Sequence, residues 1–128
     1  MNNYAFPVFV DVIDDAEIRS AREKITGEMY YSMVDLIFAL REDYSHADSS
    51  NYWSVVKHRL LSKQWYADRI TCFKVEVEAK DGKRRETDFM NLDNAAFALS
   101  RLGFGTDREY LAEYLERFTA EKRTEDCY

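Results

Sequence analysis

Residues 70–90, ITCFKVEVEAKDGKRRETDFM, decide the fold because apolar and polar side chains alternate on either side of a single turn signal. In the first half, Phe73, Val75 and Val77 fall on one face, as the two-residue period of a β-strand requires. Asp81-Gly82 is typical of hairpin turns, since Gly accepts a positive φ. The stretch therefore predicts a central β-hairpin with one buried face.

Two pairing registers are open to this hairpin. A two-residue turn sets Glu78 opposite Arg85, whereas a bulged three-residue loop through Lys83 sets Phe89 opposite Val75 on the apolar face. Burial of a Phe side chain is worth about 1.5 to 3 kcal/mol, against about 0.2 to 1 kcal/mol for an exposed ion pair. We therefore favour the longer loop.

The longer loop places Arg84 opposite Lys80 near the tip of the hairpin. Two cations facing each other across a ribbon repel unless an anion lies between them, and phosphate and carboxylate are the anions that such side chains bind. The alternative is a solvated edge ribbon whose charges oppose aggregation. The pattern alone leaves both interpretations open.

Upstream of the hairpin, the alternation predicts three further strands. The first spans about residues 6–12, and a ribbon follows over residues 17–23 and 28–33. Gly27 marks the turn of that ribbon. The ribbon and the central hairpin together supply the strands of a small antiparallel sheet.

Two helices are predicted between the ribbon and the hairpin. Ser32 and Asp35 have the S-x-x-D spacing of a capping box, which favours Asp35 as a helix cap rather than a catalyst. Asp48 or Ser49 starts a second helix that runs to about Lys63. Its inward face consists of apolar and aromatic side chains: Tyr52, Trp53, Val56 and Leu60.

Two more helices are predicted after the hairpin. Asp93 or Asn94 starts the first and Gly103 ends it, while Thr106 and Glu109 form a second capping box for a last helix. The spacing resembles a helix-turn-helix. The last helix, however, carries side chains that would meet phosphate with the wrong sign, which favours an ordinary packed helical hairpin: Glu109, Glu113, Glu116 and Glu121.

The elements together predict an α+β fold in which a small antiparallel sheet packs against about four helices. The sheet is built from the N-terminal ribbon and the central hairpin. With 128 residues, 46% of them hydrophobic, the chain suits one core. We expect a single domain over residues 1–128, with its core at about 8–117 and a frayed tail at 124–128.

Charge is distributed unevenly along the chain. Residues 51–85, the basic segment, carry nine Lys and Arg against four Asp and Glu, although the net charge of the protein is −6. Such asymmetry organises encounters with charged partners. The segment supplies the candidate nucleic-acid-binding residues: Lys57, Arg59, Lys63, Lys80, Lys83, Arg84 and Arg85. The predicted helix lacks a clean basic stripe, so the hairpin tip is the stronger candidate.

Other chemistry is weakly indicated. His46 and His58 are predicted to be surface residues, Cys72 and Cys127 reduced thiols, and the close carboxylate pairs solvated charge. We predict no catalytic residues, metal or cofactor, and hence no enzyme. An enzyme acting on nucleic acid would need a carboxylate cluster facing the basic segment. Without a leader or a long apolar run, we expect a cytoplasmic protein with no membrane partner.

Three sequence stretches resemble one known family. They are EIRSAREKITGEMYYSMVDLIFAL, NYWSVVKHRL and ITCFKVEVEAKDGKRRETDFMN, and within them the most specific matches include Tyr52-Trp53 and Asp81-Gly82-Lys83. The order looks like the Bro-N domain, the amino-terminal domain of the baculovirus repeated-ORF family, which also occurs in phage antirepressors and in proteins like DNA-damage-inducible protein D. The resemblance covers about residues 8–117. The chain departs from it at Met29, Tyr30 and Tyr31, where relatives are often rich in Trp.

The resemblance implies an α+β fold, carriage by phages or prophages, and DNA binding tolerant of sequence. It implies no catalytic residue. Our leading hypothesis is a phage or prophage regulator of transcription that contacts the phosphates of double-stranded DNA through the basic segment. The alternative is a protein-binding module, such as an antirepressor or an inhibitor of a host factor, that acts through the acidic flanks. Because relatives are often longer, we expect the module to act alone, as a homo-oligomer, or by competing with a longer relative.

Overall fold

The protein folds into five strands and five helices within the ranges that the computed structural model describes, residues 8–14, 17–79, 81–105 and 107–118. The strands are β1 (Phe9–Ile13), β2 (Ser20–Glu23), β3 (Met29–Ser32), β4 (Phe73–Glu78) and β5 (Arg84–Asn91). The helices are α1 (Met33–Leu40), α2 (His46–Leu61), α3 (Gln64–Arg69), α4 (Leu92–Arg101) and α5 (Arg108–Phe118). None of these helices is long and apolar enough to cross a bilayer.

The strands form one antiparallel sheet in the order β1-β2-β3-β5-β4, which confirms the predicted α+β class. The sheet curls, so that its two ends approach each other. The Arg19 guanidinium, just before β2, donates from Nη1 to the backbone carbonyl of Glu78 on β4 at 2.9 Å. Arg84 forms an ion pair with Asp14, just after β1. The hairpin tip is therefore attached to the N-terminal ribbon.

Neighbouring residues of β5 lie in two different hydrophobic clusters. Phe89 is fully buried with Val75, Val77 and Tyr30 in a cluster formed by the strands alone. Met90 is also fully buried, but it packs in the larger cluster with the helices. Successive residues of a strand point to opposite faces, so β5 contributes side chains to both clusters. The predicted inward face of α2 is confirmed, since Trp53 and Leu60 are buried and Tyr52 and Val56 pack against the same cluster.

Both predicted hairpin registers are wrong. Phe73 pairs with Phe89 and Glu78 with Arg84, and the loop is closed by a bond from Ala79 N to Lys83 O at 2.7 Å. Shifting an antiparallel register by two residues keeps every side chain on its face, so burial of Phe89 could not choose between such registers. The observed register replaces the expected Arg84 and Lys80 pair by Arg84 opposite Glu78.

The anion site inferred from two facing cations therefore loses its basis. Lys80 itself lies outside the described residues.

The predicted turn at Asp81-Gly82 is confirmed. Gly82 has φ +84°, a conformation that residues with a Cβ rarely adopt, so this position of the turn favours glycine.

Helix α1 is capped as predicted, but only in one direction. The Ser32 hydroxyl accepts a hydrogen bond from the backbone N–H of Asp35. The Asp35 carboxylate does not return the bond. Instead, Arg19 donates to it from N, Nε and Nη2 at 2.7 to 2.8 Å, and His46 lies 3.1 Å away through Nε2. This buried triad joins the start of β2 to α1 and α2.

Helix α2 begins at His46, earlier than predicted. Ser45 and Asp48 form a complete capping box, with both bonds at 3.0 Å, which fixes the start of the helix ahead of Asp48. His46 is consequently not the surface histidine that we predicted, because its side chain is 23% exposed and its ring contacts Phe38. His58 is exposed, as predicted.

The remaining helices differ from prediction in number and in where they begin. Helix α3 was not predicted, and its N-cap residue, Lys63, makes no side-chain capping bond that could have signalled it. Helix α4 starts earlier than expected, because Asn91 caps it. Helix α5 buries Leu111 and Leu115 in the core and exposes Glu109 and Glu113. Thr106 and residues 119–128, including Cys127 and the predicted frayed tail, lie outside the described residues.

Candidate nucleic-acid interface

An open groove separates α2 from the β4–β5 hairpin. One part of it has a volume of about 590 Å³ and an adjoining part about 410 Å³. Both parts are lined by the same four residues at their junction: Val34, Ser50, Glu86 and Thr87. We call the two parts together the α2–hairpin groove. Its continuity gives it the form that an extended polymer strand could occupy.

Asp88 organises the larger part of the groove. Its Oδ2 accepts hydrogen bonds from Trp53 Nε1 at 2.8 Å and from Lys57 Nζ at 2.7 Å, and its Oδ1 accepts from Lys74 Nζ at 3.2 Å. Trp53 and Lys57 are four residues apart on α2 and so share a face. Lys74 is directly opposite Asp88 in the hairpin. Two lysine ammonium groups thus converge on one carboxylate.

The carboxylate at this point is ionised at neutral pH. Burial alone would raise the pKa of Asp88, but hydrogen bonds from Lys57 and Trp53 and the two ammonium charges lower it overall. In turn, the charge of Asp88 raises the pKa of Lys74. Of the two lysines, Lys74 is the more accessible, with 56% of its side chain exposed against 26% for Lys57.

The groove is polar along its length. Hydroxyl groups line it on both walls: Ser50, Ser54, Ser62 and Thr87. The Ser62 hydroxyl donates to the backbone carbonyl of Arg59 at 2.7 Å, so the others are the candidate donors to an anion. Four cations and three carboxylates also line it: Arg19, Lys57, Lys74 and Arg85, with Asp81, Glu86 and Asp88. The carboxylates offset the cations, so the groove can bind phosphate only where those pairs exchange partners.

The predicted nucleic-acid-binding residues are only partly brought together. Lys57 and Arg85 line the groove. Arg59, on α2, and Lys63, just before α3, are exposed but do not line it. The hairpin supplies one more exposed cation, Lys83.

The two arginines at the hairpin tip already have carboxylate partners. Arg85 forms an ion pair with Asp81 at 2.6 Å, and Arg84 pairs with Asp14 and Glu76. About half of each arginine side chain is exposed. Exposed pairs contribute only about 0 to 1 kcal/mol, so these arginines can exchange a carboxylate for a phosphate at little cost.

Sequence reasoning missed Lys74 and Asp88 as parts of the site. Both residues lie on the polar face of the hairpin, but their pairing depends on the register, and their meeting with Lys57 depends on where α2 packs. The i, i+4 spacing of Trp53 and Lys57 was the one local signal.

Cys72 lies close to Asp88 as a free thiol. Burial, with a smaller contribution from the charge of Asp88, raises the pKa of Cys72 to about 12, so the thiol is protonated at neutral pH. A protonated thiol is a poor nucleophile. Within the described ranges, no group of three or more His, Cys, Asp or Glu side chains is placed to hold a metal ion.

Comparison with models of known protein families, with curated proteins and with solved structures finds no match to this chain. The resemblance to the Bro-N domain therefore stays a prediction from sequence motifs.

Proposed function

We propose that the protein binds double-stranded DNA through phosphate contacts in and beside the α2–hairpin groove, as a regulator of transcription of the phage or prophage type. The observation that carries the proposal is the convergence of Lys57 and Lys74 in a groove that continues to Arg85 and is lined with hydroxyl groups. Lysine and arginine cations, with hydroxyl donors, supply most protein contacts to a phosphate backbone. The sequence resemblance to Bro-N domains supports the same function.

Binding would proceed by exchange of ion-pair partners. A backbone phosphate that enters the groove takes up bonds from Lys74 and from the hydroxyl groups, while Lys57 continues to neutralise the buried Asp88. Arg85 and Lys83 then contact the next phosphates along the strand. Contacts of this kind position a duplex without reading bases, which agrees with binding that tolerates many sequences.

Reversing the charge of Lys74 tests the proposal. We expect Lys74→Glu to weaken binding of a 20-base-pair duplex by about tenfold or more at low salt, since it removes one phosphate contact and adds a repulsive charge. Fluorescence anisotropy of a labelled duplex measures the affinity. Because the new carboxylate would face the buried Asp88, Lys74→Gln, which adds no negative charge, is the second variant, and urea unfolding of both is measured beside the affinity.

Lys24→Glu is the matched control. Lys24 is an exposed lysine in the turn after β2 and is not part of the groove, and its reversal changes the net charge by the same amount. Equal losses of affinity in the two variants would show that overall charge, and not the groove, governs binding. A third variant, in which the charges of Lys83, Arg84 and Arg85 are reversed, measures how much the hairpin tip contributes to DNA affinity.

A further inference from the structure

A second pocket, on another part of the surface, has the composition of a cation site. It has a volume of about 500 Å³ and is lined by rings and carboxylates from three segments of the chain: Glu17, Phe38, Glu42, Tyr44, His46 and Tyr114. No Lys or Arg is among the described residues that line it. We call it the acidic aromatic pocket. It shares only His46 with the α2–hairpin groove.

The aromatic walls are held in place. Tyr114, on α5, donates from its hydroxyl to the backbone carbonyl of Ala39 at 3.0 Å, which fixes its ring against the end of α1. Phe38 lies 5.1 Å from the ring of His46, between ring centroids, and 41% of the residue is exposed. Phe38 therefore presents part of an aromatic surface to the pocket.

The carboxylates give the pocket a negative potential. Glu17 and Glu42 are exposed, and among the described residues neither has a hydrogen bond or an ion pair. Burial, then the nearby Tyr110, and then the charges of these two glutamates raise the pKa of Tyr114. Both carboxylates therefore act electrostatically on the same ring. Negative charge beside aromatic faces is the arrangement that attracts an organic cation.

One cation of the chain already uses this surface. The Arg41 guanidinium lies 4.1 Å from the centroid of Tyr44, while Asp43 balances its charge. A guanidinium thus stacks at the edge of the pocket, whereas Glu17 and Glu42 inside it form no ion pair among the described residues. Around the pocket, the segments outside residues 51–85 carry an excess of Asp and Glu, which favours a partner with several positive charges over a single small ion.

We propose that the acidic aromatic pocket binds an arginine or lysine side chain from a basic segment of a partner protein. The guanidinium or ammonium group would lie against Phe38 and Tyr114 and between the carboxylates of Glu17 and Glu42. The proposal is independent of DNA binding, and it gives a definite site to the alternative function, a protein-binding module with acidic flanks.

The test uses the whole chain labelled with ¹⁵N and two capped peptides, Gly-Gly-Arg-Gly-Gly and the same peptide with neutral citrulline in place of Arg. We expect the Arg peptide to shift the amide signals of Phe38, Tyr44 and Tyr114 in a saturable manner, and the citrulline peptide to bind at least about fivefold more weakly. The double variant Glu17→Gln with Glu42→Gln should bind the Arg peptide more weakly than the wild type by a similar factor.

The matched control is Glu109→Gln combined with Glu116→Gln, which removes two exposed charges from α5 outside the pocket. Equal weakening in both double variants, or no saturable shift at millimolar peptide, would overturn the proposal. So would guanidinium ion alone binding as tightly as the Arg peptide, because the pocket would then be a small-cation site. DNA affinity of the Glu17 and Glu42 variant should be unchanged, which separates this proposal from the one on the groove.

Discussion

Replacement of Asp35 by Ala is expected to lower the free energy of unfolding by about 3 to 5 kcal/mol, the cost of removing one partner from a buried ion pair. Asp35 is 2% exposed and accepts three hydrogen bonds from Arg19. Without the carboxylate, the Arg19 guanidinium would remain buried between β2, β4 and α1 with one acceptor, the carbonyl of Glu78. Urea unfolding followed by circular dichroism measures the change.

Asp43→Ala is the matched control, because Asp43 also pairs with an arginine, Arg41, but at the surface. Its loss should lower the free energy of unfolding far less than the loss of Asp35, because exposed ion pairs contribute little to stability. A small effect at Asp35, comparable to that at Asp43, would contradict the structural role given to the triad.

The contribution of Asp35 should also depend on pH. Burial alone would raise its pKa, but hydrogen bonds from His46 and Arg19 and the charge of Arg19 lower it below the ordinary value. A carboxylate with a lowered pKa stabilises the fold above its unfolded pKa, about 3.9, and loses that contribution as the pH falls through its folded pKa. The difference in stability between wild type and Asp35→Ala should therefore shrink as the pH falls below about 4.

Asp88→Asn is expected to change stability and DNA affinity in opposite directions. The side chain is almost completely buried and balances two lysines, so the variant should unfold about 1 to 3 kcal/mol more easily. At the same time, the positive charges of Lys57 and Lys74 are no longer offset by the negative charge of Asp88. If the groove binds phosphate, the affinity for duplex DNA at low salt should rise by about three- to tenfold.

Glu86→Gln separates the two effects. Glu86 also lines the groove but is exposed, and the residue directly opposite it in the hairpin is another carboxylate, Glu76. Its neutralisation should raise DNA affinity without loss of stability, since like charges opposite each other repel. Reduced affinity in both variants would show that the carboxylates, and not the lysines, contact the ligand.

The class of the fold follows from local patterns, but the contacts at its centre do not. Alternation over residues 70–90 and the capping signal at Ser32 are local, and both lead to the observed elements. The partner of Asp35 is sixteen positions away along the chain, and no local pattern connects it with Arg19. The S-x-x-D spacing correctly indicates the start of α1, but in the fold the Asp35 carboxylate forms a buried ion pair with Arg19 instead of capping the helix.

The hairpin shows the limit of a burial argument. Burial selects the face of a strand, and faces repeat every second residue, so registers two residues apart satisfy it equally. The observed register has a turn with a positive φ at Gly82 and places Lys74 directly opposite Asp88. Because the groove depends on that pair, the candidate site could be placed on the basic segment but not resolved into its contacting residues.

The acidic aromatic pocket could not be predicted at all. Glu17 precedes β2, Phe38 and Glu42 lie at the end of α1, and Tyr114 is on α5. Each residue has an ordinary local interpretation as a solvated charge or a packed ring. Only the packing of α5 against α1 brings them together.

The salt dependence of duplex binding tests the central claim most directly. Each phosphate neutralised contributes about −0.9 to the slope of log K against log salt concentration. With Lys74 and Arg85 in the groove and Lys83 beside it contacting phosphates, the wild-type slope should be about −3, and Lys74→Gln should reduce its magnitude by about one. A slope near zero, or an unchanged slope in Lys74→Gln with Lys24→Gln as the control, would contradict binding of DNA phosphates in the α2–hairpin groove.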